Sequence, residues 1–204
     1  TLIAQRFDPR SGELSGEAIP IAERVGVDPQ KTGKYWFGLA AGGTLAVRTG
    51  VQQQNQLLWF DRSGRKTGVL ATKGGFSEPT LSPDGTRVAV WHKTQQSEPG
   101  DVWIFDDAAP DRGARLPFGP TSNETPIWSP DGKWLIIGER EIHFYDATSM
   151  TQVRAIQADR WVTGMAISPD SRVLAAIDEA RGVMLFDVTS GSELHTLPRT
   201  QIST

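Results

Sequence analysis

Short apolar runs alternate with polar, turn-forming clusters along the whole chain. No stretch keeps a 3.6-residue apolar period with helix caps for more than a few residues. Runs such as Val102-Trp103-Ile104, Trp134 to Ile137 and Val173 to Ile177 have the length and the β-branched or aromatic content of strands. Polar links such as Arg62 to Arg65, Thr148 to Met150 and Thr189 to Ser192 separate them, as tight turns do. The pattern predicts an all-β chain.

Two motifs set the beat. Ser-Pro-Asp-Gly occurs at Ser82 to Gly85 and Ser129 to Gly132, with a variant at Ser168-Pro169-Asp170-Ser171 and a worn copy at Ala40-Ala41-Gly42-Gly43. Their spacing of roughly forty residues is that of a four-stranded propeller blade. Proline fixes one φ of the turn, Ser and Asp can bond nearby backbone groups, and Gly closes the turn without a Cβ clash. An aromatic-Asp pair keeps the same period: Phe7-Asp8, Phe60-Asp61, Phe105-Asp106, Tyr145-Asp146 and Phe186-Asp187. Each blade therefore reads as strands A to D: S-P-D-G joins A to B, and the aromatic-Asp pair ends C.

Five C strands but four A/B hairpins can be counted. Residues 1–25 read as a half-blade with strands C and D only. Blades follow at 26–73, 74–120, 121–158 and 159–199, with a tail at 200–204, all in one propeller domain. A lone two-stranded hairpin is marginal in water, so inner strands are expected from the parent chain or from another molecule in a homo-oligomer.

Pro79-Thr80-Leu81-Ser82-Pro83-Asp84-Gly85 and Pro126-Ile127-Trp128-Ser129-Pro130-Asp131-Gly132 resemble the PD-type repeats of TolB-like propellers, over roughly residues 1–137. Ile3-Ala4-Gln5-Arg6-Phe7-Asp8, Gly43-Thr44-Leu45-Ala46 and Leu58-Trp59-Phe60-Asp61-Arg62-Ser63-Gly64 resemble propeller regions C-terminal to bacterial serine/threonine kinase domains. Farther on, Ile142 to Ala147 and Val183 to Gly191 resemble the third strands of WD-repeat blades, with Phe or Tyr in place of the WD tryptophan. The kinase-type resemblance implies an extracytoplasmic, periplasmic sensory or interaction module; the cytoplasm is the other setting open to it.

Composition narrows the chemistry. With 21 Lys and Arg against 24 Asp and Glu, the net charge of -3 gives no bulk attraction for nucleic acid or an anionic membrane. No apolar run is long enough for membrane insertion. Zero cysteines exclude disulfides and thiolate chemistry. No G-x-S-x-G elbow occurs, and His92, His143 and His195 stand alone in separate blades, so no catalytic, metal or cofactor site is expected. Asp61, Asp106, Asp146 and Asp187 read as turn residues rather than a carboxylate ring, and Trp59, Trp91, Trp103 and Trp128 as packing between sheets.

Loops on a rigid scaffold commonly carry recognition. The B-to-C and D-to-A connections share one face, and two B-to-C links are longer than a hairpin needs. The candidate contacts for a protein or peptide partner are Gln52, Gln53, Gln54, Asn55, His92, Lys93, Gln95, Gln96, Glu98, Arg160 and Trp161. The expected function is a non-enzymatic interaction or sensory module. One rival is the gating propeller of a hydrolase or peptidase; another is a repeat fragment that completes its ring by self-association.

Overall fold

A computed structural model describes residues 2–22, 37–39, 45–49, 55–93, 100–116, 126–158, 161–178 and 181–198. The described residues contain strands and no helix. An N-terminal hairpin pairs β1 (Leu2–Asp8) with β2 (Glu13–Ala22) in a two-stranded sheet. Next come β3 (Phe37–Leu39), β4 (Leu45–Thr49), β5 (Asn55–Phe60), β6 (Lys66–Leu81), β7 (Arg87–Lys93), β8 (Asp101–Asp106) and β9 (Ala114–Arg115) in one seven-stranded run. Two four-stranded antiparallel sheets complete the chain. One holds β10 (Pro126–Trp128), β11 (Trp134–Gly138), β12 (Glu141–Asp146) and β13 (Gln152–Gln157); the other holds β14 (Val162–Ile167), β15 (Val173–Asp178), β16 (Gly182–Asp187) and β17 (Glu193–Leu197).

The seven-stranded run is two blades sharing β6, whose first part pairs with β5 and whose second part pairs with β7. The sequence pattern separates an outer strand at Thr67 to Ala71 from the next inner strand, but the backbone stays extended between them. Gly74 and Gly75 make this crossing tight: a Cβ on Gly74 would meet the Phe76 ring at 2.3 Å, and one on Gly75 the Lys93 carbonyl at 2.8 Å. The architecture is a half-blade followed by four blades, blade 1 built from β3 to β6 and blade 4 from β14 to β17.

The turns explain why the repeat folds this way. In each S-P-D-G copy the serine hydroxyl donates to the Asp carboxylate two residues on, at 2.6 Å from Ser82, 2.7 Å from Ser129 and 2.6 Å from Ser168. The same oxygen accepts the N–H five residues on, from Arg87, Trp134 or Val173, at 2.9 Å each time. Gly85 and Gly132 occupy the left-handed region at φ 73° and 72°, where Cβ is disfavoured.

Strand alternation divides each blade between two neighbours. On β7, Val88 and Val90 join a cluster with Leu57, Trp59 and Leu70 of blade 1, while Ala89 joins Leu135 and Ile137 of blade 3. On β11, Ile136 turns the other way, to Leu174, Met184 and Phe186 of blade 4. Ile21 and Leu2 of the half-blade meet Leu45 and Phe60. Each core cluster lies between one sheet and the next, so the sheets stack face to face in chain order.

Candidate interaction site

The most completely defined part of the loop face lies where blades 3 and 4 meet. Glu139 and Arg140 make the short turn between β11 and β12, closed by the Glu139 N–H donating to the Glu141 carbonyl at 2.9 Å. The linker from β13 to β14 is fastened to that turn. Ala158 N–H donates to the Arg140 carbonyl at 2.9 Å, and Val162 N–H to the Glu139 carbonyl at 2.8 Å. These bonds hold Trp161, 40% exposed, beneath the Arg140 guanidinium, 5.1 Å from the ring centroid. Below them Gly138 leaves the space filled by the Met165 sulfur, which a Cβ would meet at 2.8 Å. The result is an exposed aromatic plane capped by a cation, next to a backbone bonded at Ala158 and Val162 to the neighbouring turn, an arrangement that can contact a partner.

Blade 2 supplies a second, more buried part. The His92 ring packs 4.7 Å from Phe76 and edge-on to Trp103 at 5.1 Å. Burial holds this imidazole below its usual titration range, with the Asp101 carboxylate opposing the effect. Asp101 in turn receives Arg115 through both carboxylate oxygens at 2.9 Å. Lys93 ends β7 beside it, paired with Gly75. On blade 4, Arg181 donates to both oxygens of Glu193 at 2.8 Å. Glu193 is held below its usual range by the Thr196 hydroxyl first and Arg181 second.

Of the sequence-derived contacts, Trp161 lies exposed on this face, and His92 and Lys93 are half-buried at its edge. Asn55 has another role. It is 1% exposed, and its amide accepts the Phe76 N–H at 2.9 Å and donates to the Phe76 carbonyl at 3.1 Å. This side chain imitates a strand partner where β6 crosses between blades, so it belongs to the scaffold and not to the contact surface. Gln52, Gln53, Gln54, Gln95, Gln96, Glu98 and Arg160 lie outside the described residues. Sequence reasoning missed Arg140, although the shortness of the Glu139 to Glu141 link already put that residue beside the next linker.

The aspartates that end the C strands serve their turns. Asp146 accepts the N–H groups of Thr148 and Ser149 and the Ser149 hydroxyl, and Asp187 accepts the N–H and hydroxyl of Ser190. Asp61 accepts the Ser63 hydroxyl at 2.5 Å and the Arg65 N–H at 3.0 Å, which bring its pKa down to about 2. Among the described residues no three His, Asp or Glu side chains are grouped to hold a metal ion.

No family model matches the chain. It is 30% identical over 139 residues to the Tol-Pal system protein TolB of Alcanivorax borkumensis, covering 67% of this chain and 31% of that protein. The crystal structure of TolB from Acinetobacter baumannii superposes with a TM-score of 0.63 at 18% identity, over 81% of this chain and 43% of that one. The chain has a β-propeller fold similar to that of TolB. A second similarity runs to eukaryotic translation initiation factor 3 subunit I of Coccidioides immitis, 23% identical over 150 residues, 67% of this chain and 44% of that protein. That relative is a WD-repeat protein, in keeping with the WD-like C strands of the later blades. The chain thus spans less than half the length of each of these relatives.

Proposed function

We propose that this propeller is a protein-interaction or sensory module that binds a protein or peptide through the face carrying the B-to-C and D-to-A connections. The observation that carries the reading is the Arg140-Trp161 pair: a large aromatic plane left 40% exposed although the backbone on both sides of it is hydrogen-bonded to the neighbouring turn. Tryptophan and arginine are among the residue types most enriched at the energetic centres of interfaces. By their place in the sequence, the B-to-C links at Gln52 to Gln54 and at Lys93 to Glu98 extend the same face. In the setting we propose, the module belongs to a membrane-anchored bacterial kinase and sits outside the cytoplasm, as the resemblance of its first half implies.

Site-specific photocrosslinking tests this. A benzophenone side chain at position 161 is expected to give a discrete adduct in the native host, and one at position 153, exposed on the outer strand β13, none. Arg140→Glu should abolish the adduct from position 161. Equal labelling from both positions, or labelling that Arg140→Glu leaves intact, would overturn the reading.

A further inference from the structure

Arg140 and Arg181 occupy the same place in successive blades, each immediately before the first residue of a C strand, β12 in one case and β16 in the other. Their guanidinium groups end differently. Arg181 closes on its own sheet, donating to both oxygens of Glu193 at 2.8 Å and to the Thr196 hydroxyl at 3.3 Å. Glu193 stands opposite Phe186, and the residue at that register in blade 3, opposite Tyr145, is Gln152. A neutral amide gives Arg140 no charge to close on. Arg140 instead stays exposed over the Trp161 ring, and no acceptor for its guanidinium N–H groups is present among the described residues.

The carboxylates beside it in sequence do not take over that role. Glu141 accepts the Gln157 side-chain amide and lies 3.7 Å from His143 Nε2, so it is drawn along the sheet toward β13. Glu139 is half-buried. A guanidinium held against a ring keeps its N–H donors in its own plane, where a planar carboxylate can meet two of them at once. The open part of the Trp161 ring lies beside those donors and offers an apolar surface to whatever adjoins the carboxylate. The main-chain N–H groups of Glu139, Ala158 and Val162 are already bonded within the turn and its linker. Capture of a peptide's terminal carboxylate relies on free backbone groups of that kind, so this site favours a side-chain carboxylate.

We propose that Arg140 and Trp161 recognise an acidic peptide segment: Arg140 holds the carboxylate of an Asp or Glu side chain, and the apolar side chain next to it in the peptide lies on Trp161. The Arg181-Glu193 pair is the same contact made within the chain. The inference rests on the loop-face reading given above and adds the chemistry of the partner.

Nuclear magnetic resonance titration of the nitrogen-15-labelled 204-residue chain with capped tetrapeptides tests this. The readout is the Trp161 indole N–H resonance, which Trp161→Phe assigns. Acetylated, amidated Ala-Glu-Phe-Ala should shift that resonance saturably in the low-millimolar range, and the capped Ala-Gln-Phe-Ala should bind at least about tenfold more weakly. Salt at about 0.5 M should weaken the Glu peptide and leave the Gln peptide unchanged. Arg140→Gln should bring both peptides to the same weak affinity, and Arg140→Lys should recover only part of the difference. Gln152→Glu, which gives blade 3 the partner that blade 4 has, should draw Arg140 away and weaken the Glu peptide with Arg140 and Trp161 both in place. Unchanged amide resonances in the other blades show that each variant is folded. A Glu peptide that gives no saturable shift, or that binds no better than the Gln peptide, would overturn the proposal. So would tighter binding of the capped Ala-Lys-Phe-Ala, or of Ala-Gln-Phe-Ala with a free terminal carboxylate. Any of these results beside a discrete crosslink from position 161 in the native host leaves the loop-face reading standing and removes only the acidic partner; loss of the crosslink removes the reading itself.

Discussion

At the scale of single residues, the turn chemistry is where this chain is most exacting. Ser129 is fully buried, and its hydroxyl serves Asp131 and the Trp134 N–H together. Ser129→Ala orphans a buried donor and should lower the unfolding free energy by about 1–3 kcal/mol in urea titration, while Thr148→Ala on an exposed turn should change it little. Ser171 departs from the turn glycine and sits at φ 60°, and its hydroxyl accepts the Asp131 N–H of the preceding blade at 3.0 Å. The substitution thus exchanges local ease for a tie between blades.

The same residues set the response to pH. Hydrogen bonds hold Asp61, Asp84, Asp146, Asp170 and Asp187 below the usual carboxylate range, Asp61 to about 2. The unfolded chain therefore takes up these protons first. Their contribution to stability is complete above about pH 4 and is lost as pH falls toward 2. The histidines act earlier. Burial lowers His92 and His143, so only the unfolded state gains their protons just below about pH 6.5, and stability falls from there downward. Urea midpoints measured from pH 8 to 5 should decline, and His92→Gln should flatten the decline.

At the scale of the element, strands are joined into blades by ladders, but blades are joined to each other by a few polar staples set in apolar cores. Arg87 donates to the Ala147 carbonyl while lying 4.9 Å over Trp128, whose own N–H donates to the Thr80 carbonyl at 3.2 Å. Arg154 lies 4.3 Å over Phe144 and donates to the Val188 and Thr189 carbonyls at 2.5 and 2.6 Å. Arg154→Ala should destabilise by about 2 kcal/mol, and Arg154→Lys should recover only part of that, because an ammonium cannot span two carbonyls as a planar fork does. Thermal unfolding of the three proteins checks the order. These staples could not be read from the sequence, since an arginine two residues into an outer strand has the same local pattern whether it faces water or the next blade. The hairpins were legible for the opposite reason: all the groups that close an S-P-D-G turn lie within six residues of one another. Trp161 was legible as an aromatic in a linker, whereas Arg140, its partner, acquires meaning only when two blades are set side by side.

At the scale of the whole molecule, stability is a chain of nearest-neighbour contacts, because each cluster of buried side chains involves two adjacent sheets. The forty-residue period announces this stacking; the continuous strand β6 does not follow from it, since the crossing depends on Asn55 bonding Phe76 from another strand. A cavity at one interface should therefore loosen the blades on one side of it and leave those on the other side intact. Ile136 is fully buried and belongs to the cluster between blades 3 and 4, while its neighbours Leu135 and Ile137 face blade 2. Ile136→Ala removes about 2–5 kcal/mol of packing at that one junction. Amide hydrogen exchange should then accelerate across β14 to β17, with β7 and β8 unchanged, and Ala89→Gly, at the junction of blades 2 and 3, should loosen blades 3 and 4 together. Uniform acceleration over all sheets after Ile136→Ala would instead mean that the stack unfolds as a single cooperative unit, and the nearest-neighbour description would fail.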